Sequence, residues 1–250
     1  MAALKQWKTR LTSLLGRTLV KRSIRLAGKR PVASITFDDF PKNAWTQGGP
    51  VLARRGIRAT YYTTGGFCGR TLNGTHFYDA GDLKALAACG HEIGCHGFAH
   101  QPVPMCSNEE LAADAGRNAE FLKPFLKGET PVSYAYPYGR VSPRTKRFYA
   151  SRFTSLRGTH GGINIGSVDL AQLNVISLEM GQWDQDGIDA AIRQVVRSNG
   201  WLILTTHDVS EIPSRFGSTP GMLDWALDRV AAAKIDVLPV REALPLALGF

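Results

Sequence analysis

Short apolar runs alternate with helical stretches from residue 31 to the end of the chain. The apolar runs predict eight strands: Val32–Phe37, Ala59–Thr63, Glu92–Cys95, Val132–Tyr136, Phe153–Leu156, Leu173–Leu178, Trp201–Thr205 and Asp236–Val240. The stretches between them predict six helices: Gly48–Arg55, Gly81–Ala88, Asn108–Leu126, Pro143–Ala150, Gly187–Ser198 and Pro220–Ala233. Repeated strand–helix units are typical of a parallel sheet with helical crossovers, and seven or eight units favour a closed barrel over an open sheet.

Residues 1–30 carry a different pattern. Six apolar residues follow one another at three- and four-residue spacing, so a helix would gather them on one side: Leu4, Trp7, Leu11, Leu14, Leu15 and Leu19. The same segment holds nine basic residues and no acid: Lys5, Lys8, Arg10, Arg17, Lys21, Arg22, Arg25, Lys29 and Arg30. The formal net charge of +9 therefore lies entirely in this segment. We divide the chain into a basic amphipathic N-terminal arm, residues 1–30, and one domain, residues 31–250.

Three interpretations of the arm stay open. Its apolar side can pack against the domain, its basic side can dock on an anionic membrane, or it can bind RNA or another acidic partner. Lysine and arginine interrupt every candidate apolar core, so the arm lacks the pattern of a signal peptide. We therefore expect a cytoplasmic protein, with peripheral contact at the inner face of the membrane through residues 1–30 as the alternative.

The composition excludes several classes of protein. With 44% hydrophobic and 20% charged residues, the 250-residue chain has an ordinary globular composition rather than a disordered or fibrous one. No stretch approaches the ~18 consecutive apolar residues of a membrane span, and four cysteines are too few for a disulfide scaffold. The electrically neutral body argues against a nucleic-acid-binding domain. Nothing in the sequence indicates an obligate protein partner.

Polar side chains follow four of the predicted strands. They are Asp38-Asp39, His96 with His100, Tyr136–Gly139, and His207-Asp208. In parallel α/β folds, functional residues collect at these carboxyl ends of strands. Two histidines and one carboxylate are a common ligand set for a catalytic divalent ion. Adjacent carboxylates are costly to crowd together unless a cation holds one of them, so one aspartate can bind metal while the other acts as a base.

Taken together, four motifs resemble those of the polysaccharide deacetylases, the NodB-homology domains of carbohydrate esterase family 4. They are Ser34–Asp39 (SITFDD), the pair His96 and His100, Pro137–Gly139 (PYG) and Leu202–His207 (LILTTH). The resemblance covers about residues 31–245 and implies an irregular (β/α)7 barrel of the TIM-barrel-like kind. It also implies a metal-dependent hydrolase that removes N-acetyl groups from an amino sugar in an oligosaccharide, a polysaccharide or a lipid-linked glycan.

The resemblance assigns roles to individual residues. It implies that Asp39, His96 and His100 bind the metal. It makes Asp38 the general base on the attacking water and His207 the general acid to the leaving amine. It gives the backbone N–H of Tyr138 to the oxyanion, and it places Pro137, Tyr138 and Trp183 at the substrate. We expect Zn²⁺ in the site, with Co²⁺, Ni²⁺ or Mn²⁺ as alternatives, because all four accept such ligands to different degrees.

The sequence departs from the family at three places. Gly97 stands where a hydroxyl residue usually supports the loop, and Ala135 stands where an arginine usually orients the base; Arg157 could replace that arginine. The fourth motif is matched only loosely by Gln182–Asp184, so Asp184, Asp186 and Glu179 all stay candidates for the partner of His207. These departures leave two alternatives open. One is removal of another small acyl or formyl group, and the other is a metal-binding, catalytically impaired component of polysaccharide biosynthesis.

Overall fold

The computed structural model of the chain describes residues 16, 18, 19 and 21–250. Their strands are β1 (Ser23–Arg25), β2 (Val32–Asp39), β3 (Thr60–Thr63), β4 (Thr71–Leu72), β5 (Thr75–His76), β6 (Glu92–Cys95), β7 (Ser133–Ala135), β8 (Ser155–Gly161), β9 (Ser167–Asp169), β10 (Leu173–Ser177), β11 (Trp201–Thr206) and β12 (Asp236–Val237). Their α-helices are α1 (Lys42–Thr46), α2 (Gly48–Ala53), α3 (Ala80–Ala88), α4 (Asn108–Leu122), α5 (Pro143–Ala150), α6 (Gln185–Ser198), α7 (Pro220–Ala232) and α8 (Val240–Leu248).

Seven parallel strands close into a barrel. Their order around the ring is β2-β3-β6-β7-β8-β10-β11, and β11 pairs back with β2 from Trp201↔Val32 to Thr206↔Phe37. This closure confirms the predicted (β/α)7 fold. The eighth predicted strand, Asp236–Val240, was too long: only β12 is extended, beside the lower part of β2, and Val240 already begins α8.

The alternation of side chains along β2 explains how the barrel is filled. Ala33, Ile35 and Phe37 belong to the main apolar cluster, which the outer helices also join. The alternate residues point the other way. Ser34 accepts a hydrogen bond from the indole of Trp201 at 3.0 Å, and the last of them, Asp38, reaches the upper end of the barrel. One strand therefore supplies both core packing and a functional carboxylate.

The lower end of the barrel is covered by the C-terminal helix and by the segment before β2. Four residues of α8 join a buried cluster with Trp201 and Leu26: Val240, Ala243, Leu244 and Ala247. The backbone N–H of Gly28 donates to the carbonyl of Ala247 at 3.0 Å. These contacts leave the upper end, where the strands finish, as the accessible face.

Part of the predicted N-terminal arm packs against the barrel as a strand. β1 pairs with β9 in antiparallel register, so residues 23–25 are extended and the helix does not continue through them. The helix predicted over Leu4–Leu19 lies largely outside the described residues, and the division of the chain at residue 30 stays a prediction. Within the described part of the chain, no helix has the length and apolar character to cross a bilayer.

A buried lysine ties this segment to the barrel. Lys146 of α5 is 1% exposed and lies 2.6 Å from the carboxylate of Asp169 in β9. Its ammonium also donates to the carbonyls of Gly16 and Leu19, at 3.0 and 2.8 Å. The N–H groups of Lys21 and Arg22 complete the contact by donating to the same carboxylate.

Lys146→Ala should therefore lower the free energy of unfolding by about 2 kcal/mol, because it removes a buried ammonium and leaves the half-buried Asp169 carboxylate without its cation. Urea denaturation followed by circular dichroism measures the effect. The matched control is Lys84→Ala, which removes an exposed lysine of α3 and should change stability by less than about 0.5 kcal/mol. Equal midpoints for the two variants would show that the Lys146 ion pair does not hold the segment.

Candidate active site

Two histidines and one aspartate meet at the upper end of the barrel. His96 directly follows β6, His100 lies in the loop after it, and Asp39 ends β2. Asp39 Oδ1 is 3.4 Å from His96 Nε2 and 3.0 Å from His100 Nε2. One ligand atom from each residue lies within 4.8 Å of the other two. The predicted ligand set is thus brought together by two segments, the end of β2 and the loop that follows β6.

The chemistry of this cluster fits a divalent metal ion. Asp39 Oδ1 is buried and accepts no hydrogen bond within the described residues. His96 Nδ1 must donate to the carbonyl of Ala135, 2.8 Å away, which turns the lone pair of Nε2 toward Asp39. Burial, the largest influence, lowers the pKa of His96 to about 4, so its ring is neutral at pH 7. A neutral imidazole with a fixed tautomer beside an unsatisfied carboxylate is a typical metal site.

Left-handed backbone aims several of these side chains. Asp39, His100 and Tyr138 have φ of 62°, 49° and 58°, a region that non-glycine residues seldom enter and that costs of order 1–3 kcal/mol each. Strand alternation alone would send Asp39 away from Asp38. The turn at Asp39 instead brings both carboxylates to one cavity.

The structure explains the glycine at position 97. Gly97 has φ of 75°, and a Cβ there would lie 2.7 Å from Asp114 Oδ2. Asp114, on α4, accepts hydrogen bonds from the N–H groups of Phe98 and Ala99 at 2.9 and 2.8 Å. A carboxylate from a neighbouring helix therefore holds the loop that carries His100. No local sequence signal marks Asp114, which lies fourteen positions after that histidine.

Arg157 occupies the place that Ala135 leaves open. The two residues are paired in register on the adjacent strands β7 and β8. The buried guanidinium of Arg157 donates to Asp38 and to the carbonyl of Gly158, and it stacks on the ring of Tyr62 at 4.8 Å. Burial alone would raise the pKa of Asp38, but Arg157, helped by His96 and His207, outweighs burial and holds that pKa below its ordinary value. Asp38 is therefore ionised at neutral pH.

Of the three acids considered for His207, Glu179 is the one in contact with it. Its Oε1 lies 3.3 Å from His207 Nδ1, as an ion-pair contact without hydrogen-bond alignment. Asp184 instead caps α6 by accepting from the N–H of Gly187, and Asp186 is exposed in the first turn of that helix. Burial lowers the pKa of His207, but Glu179, with the two aspartates of β2, raises it to about 9. His207 is therefore a cation at pH 7.

A folded loop holds the backbone and ring of His207. The buried Asp208 carboxylate accepts from both the N–H and the hydroxyl of Ser214. This places Phe216 against His207, with ring centroids 5.4 Å apart, and its carbonyl accepts from the His207 N–H at 3.1 Å. The sequence pointed to Asp208 only as a polar residue after a strand, and it gave no sign of Phe216.

Residues 26–153, just over half of the chain, match the family described as polysaccharide deacetylase. The chain belongs to this family. Chitin deacetylase 1 of Cryptococcus neoformans is 26% identical over 119 residues, which are 48% of this chain and 23% of that protein. The match thus spans less than a quarter of that relative's length.

Solved structures of the family share the barrel. A family 4 acetyl xylan esterase from Clostridium thermocellum, in complex with a cobalt ion, aligns with a TM-score of 0.60 at 20% identity over 86% of this chain and 91% of that one. A family 4 pseudoenzyme from Bacillus anthracis aligns with a TM-score of 0.60 at 13% identity over 89% of this chain and 68% of that one. At these identities the alignments show that this deacetylase-family chain shares their fold.

In this polysaccharide deacetylase-family barrel, the Asp39–His96–His100 cluster lines a cavity of about 320 Å³. Its lining includes most of the predicted site residues and several that the sequence did not indicate: Asp38, Asp39, His96, His100, Tyr136, Tyr138, Thr159, Val175, Ser177, Glu179, Gln182, Thr205, His207 and Phe216. Trp183 and Pro137 do not line it. Trp183 packs beside Gly161 and Gly187, so its predicted contact with substrate, and that of Pro137, stay predictions.

The backbone of Pro137–Gly139 (PYG) turns sharply where it borders the cavity, and this turn requires a glycine at position 139. Gly139 has φ of 60°, and a Cβ there would collide with the side chain of Thr159. The preceding Tyr138 is 57% exposed, and its ring lies 4.4 Å from that of His100. The left-handed turn thus places the backbone and ring of Tyr138 at the opening of the cavity.

Glu179→Gln should shift the alkaline side of the pH–rate profile to lower pH. Glu179 raises the pKa of His207, so its removal lets that histidine lose its proton, and with it the acid role that the family resemblance implies, at lower pH. We expect kcat to begin its decline about one to two pH units earlier than in the unmodified protein. Asp184→Asn, at the neighbouring acid outside the cavity, is the control. An unshifted alkaline limb in Glu179→Gln would remove Glu179 as the partner of His207.

Proposed function

We propose that this chain is a metal-dependent N-deacetylase that hydrolyses the acetamido group of an amino sugar in a glycan. The observation that carries the proposal is one cavity that holds an ionised Asp38, a cationic His207 and the Asp39–His96–His100 cluster. Amide hydrolysis needs a base for the attacking water, a site for the oxyanion and an acid for the poor leaving group. The cavity offers a group for each.

The proposed metal ion and four residues each have a role in this reaction. A divalent ion bound by Asp39, His96 and His100, for which we propose Zn²⁺, would lower the pKa of a bound water toward ~7 and polarise the acyl carbonyl. Asp38 accepts the proton of the attacking water, and Arg157 keeps its carboxylate ionised and oriented. His207 donates a proton to the departing nitrogen. The backbone N–H of Tyr138 completes the oxyanion site.

The cavity also supports the proposed substrate class. Its volume of about 320 Å³ lies at the small end of the ~300–1,000 Å³ range of ligand pockets, as expected for one sugar unit with its acetamido group. Tyr138 is exposed at the opening, where its ring is accessible to a neighbouring sugar unit. We therefore propose an N-acetylated oligosaccharide, polysaccharide or lipid-linked glycan. A cytoplasmic location stays a prediction.

Acetate release from N-acetylglucosamine oligomers tests the proposed reaction. We expect the purified full chain to release acetate, to lose this activity after chelation and to regain it with Zn²⁺ or Co²⁺. Asp38→Ala should lower kcat by about 10²–10⁴-fold, because the proton of the attacking water loses its acceptor. Asp186→Ala, an exposed acid outside the cavity, is the matched control. Acetate release that persists in Asp38→Ala, or that ignores chelation, would contradict the proposal.

The register pairing of Ala135 with Arg157 allows a sharper test of the base. Arg157→Ala should lower kcat about 100-fold and move the acidic limb of the pH–rate profile upward, because Asp38 loses the cation that holds its pKa down. Adding Ala135→Arg to this variant restores a guanidinium on the adjacent strand. We expect it to recover part of the rate and to return the acidic limb toward lower pH. An acidic limb that is the same in all three proteins would exclude Arg157 from this role.

A further inference from the structure

Exposed apolar side chains lie at the cavity and on the loops that follow β10 and β11 at the same end of the barrel. We call four of them the mouth rim: Tyr138, Met180, Ile212 and Phe216. Ile212 is 91% exposed, and Met180 is 57% exposed. The N–H of Met180 donates to the carbonyl of Gly217, beside Phe216, and Ile212 lies in the loop that Asp208 folds through Ser214. The rings of Tyr138 and Phe216 pack on His100 and His207, whereas Met180 and Ile212 are positioned through the backbone of their loops.

The aliphatic members of the rim do not face a bound sugar. Tyr138 and Phe216 line the cavity, but Met180 and Ile212 are not among its lining residues. A substrate held in the cavity would leave both in water. Exposed apolar groups that cluster around a functional opening are typical of surfaces that meet a lipid or protein partner.

Two arginines accompany the rim. The guanidinium of Arg215 lies 4.3 Å from the ring centroid of Phe216, and that of Arg140 lies 5.8 Å from that of Tyr138. Both side chains are exposed, and neither forms an ion pair with any residue that the structure describes. Aromatic and aliphatic groups beside arginines that lack an ion-pair partner suit a membrane interface, where phosphate groups lie at the surface and acyl chains lie beneath them.

The N-terminal segment leads to the same face. From β1 it passes along α5, where the Lys146 ammonium binds the carbonyls of Gly16 and Leu19. Gly16 then packs against the backbone of Val141 and Ser142, next to Arg140. The fifteen residues that precede Gly16 in the sequence contain three basic residues and no acid: Lys5, Lys8 and Arg10. The described part of the N-terminal segment thus reaches the backbone next to Arg140, which lies beside Tyr138 of the mouth rim.

We propose that the mouth rim docks on an anionic lipid surface, with the cavity opening toward the membrane. If the chain is the deacetylase proposed above, its substrate is then a glycan presented at that surface on a lipid carrier. A lipid surface explains both the exposed aliphatic side chains and the arginines without ion-pair partners. Ile212 and Met180 enter the acyl boundary, while Arg140 and Arg215 meet phosphate groups. A free glycan would use the aromatic rings and leave the aliphatic side chains exposed.

Vesicle co-sedimentation of the full chain tests this docking. We expect the protein to sediment with phosphatidylcholine vesicles that contain phosphatidylglycerol, and far less with phosphatidylcholine alone. The double variant Met180→Glu with Ile212→Glu should need about tenfold more lipid for half-maximal sedimentation. Its matched control is Val132→Glu with Phe250→Glu, which places two acids on exposed apolar residues at the opposite end of the barrel and should bind as the unmodified protein does.

Charge variants separate the electrostatic part. Arg215→Gln should weaken binding to the anionic vesicles about fivefold, and added salt should reduce that difference. Glu211→Gln, beside Ile212, should strengthen binding, since it removes an exposed acid from the docking face. Arg197→Gln, at the end of α6 away from the opening, is the control and should have no effect.

Three results would overturn the proposal. The first is equal sedimentation of the rim and far-end double variants. The second is no sedimentation of the unmodified protein with either vesicle. The third is a dimer in sedimentation-velocity runs that the rim variant abolishes, which would assign the patch to a second copy. The binding readout needs no turnover, so a chain that sediments as expected but releases no acetate would contradict the proposed function and leave the docking intact.

Discussion

The buried ion pair between Arg157 and Asp38 is the interaction on which the rest of the site depends. A carboxylate as buried as Asp38 would ordinarily be protonated, and a protonated acid cannot serve as a base. The guanidinium of Arg157 keeps it ionised. The same negative charge, together with Glu179, then helps to keep His207 protonated. An ionised carboxylate and a protonated imidazole at one pH, as the proposed base and acid require, thus follow from a single buried cation and its neighbours.

Backbone strain and its supports fix the geometry around that pair. The left-handed conformations of Asp39 and His100 persist because the surrounding structure holds them. Asp114 binds two N–H groups of the His100 loop, and Asn118, one turn further along α4, binds the backbone of Thr63 and Gly65. One helix therefore braces two loops of the site. This arrangement keeps the ligand set aligned before any ion or substrate is bound.

Sequence periodicity predicts the barrel well because its strands are buried on both sides. The bounds of Glu92–Cys95 and Pro143–Ala150 are confirmed to the residue. Sequence periodicity does not predict α8, because its interior Pro245 and the preceding Pro239 suggest a break rather than a helix. It also missed β1, because a three-residue edge strand is specified by its partner, β9, and not by its own pattern.

The candidate site is predictable from the sequence only where a polar, chemically reactive side chain comes shortly after a predicted strand. Asp38, Asp39, His96, His100 and His207 carry that signal, and the structure brings all five to one cavity. The residues that support them do not carry this signal. Asp114 and Phe216 meet the site only through tertiary folding. Sequence alone does not separate Glu179 from Asp184, because an acidic residue that caps a helix and one that partners a histidine carry the same carboxylate. Arg157 was indicated by the gap at Ala135, and its register pairing supplies the physical reason.

Anomalous X-ray scattering at the zinc edge, from crystals grown with Zn²⁺ and an N-acetylated oligosaccharide, tests the central claim most directly. We predict one zinc peak per chain, bound by Asp39, His96 and His100 at about 2.0–2.2 Å. The acetamido group of one sugar should lie in the same cavity, between Asp38 and His207. A zinc peak elsewhere, or a sugar bound outside this cavity, would contradict the account.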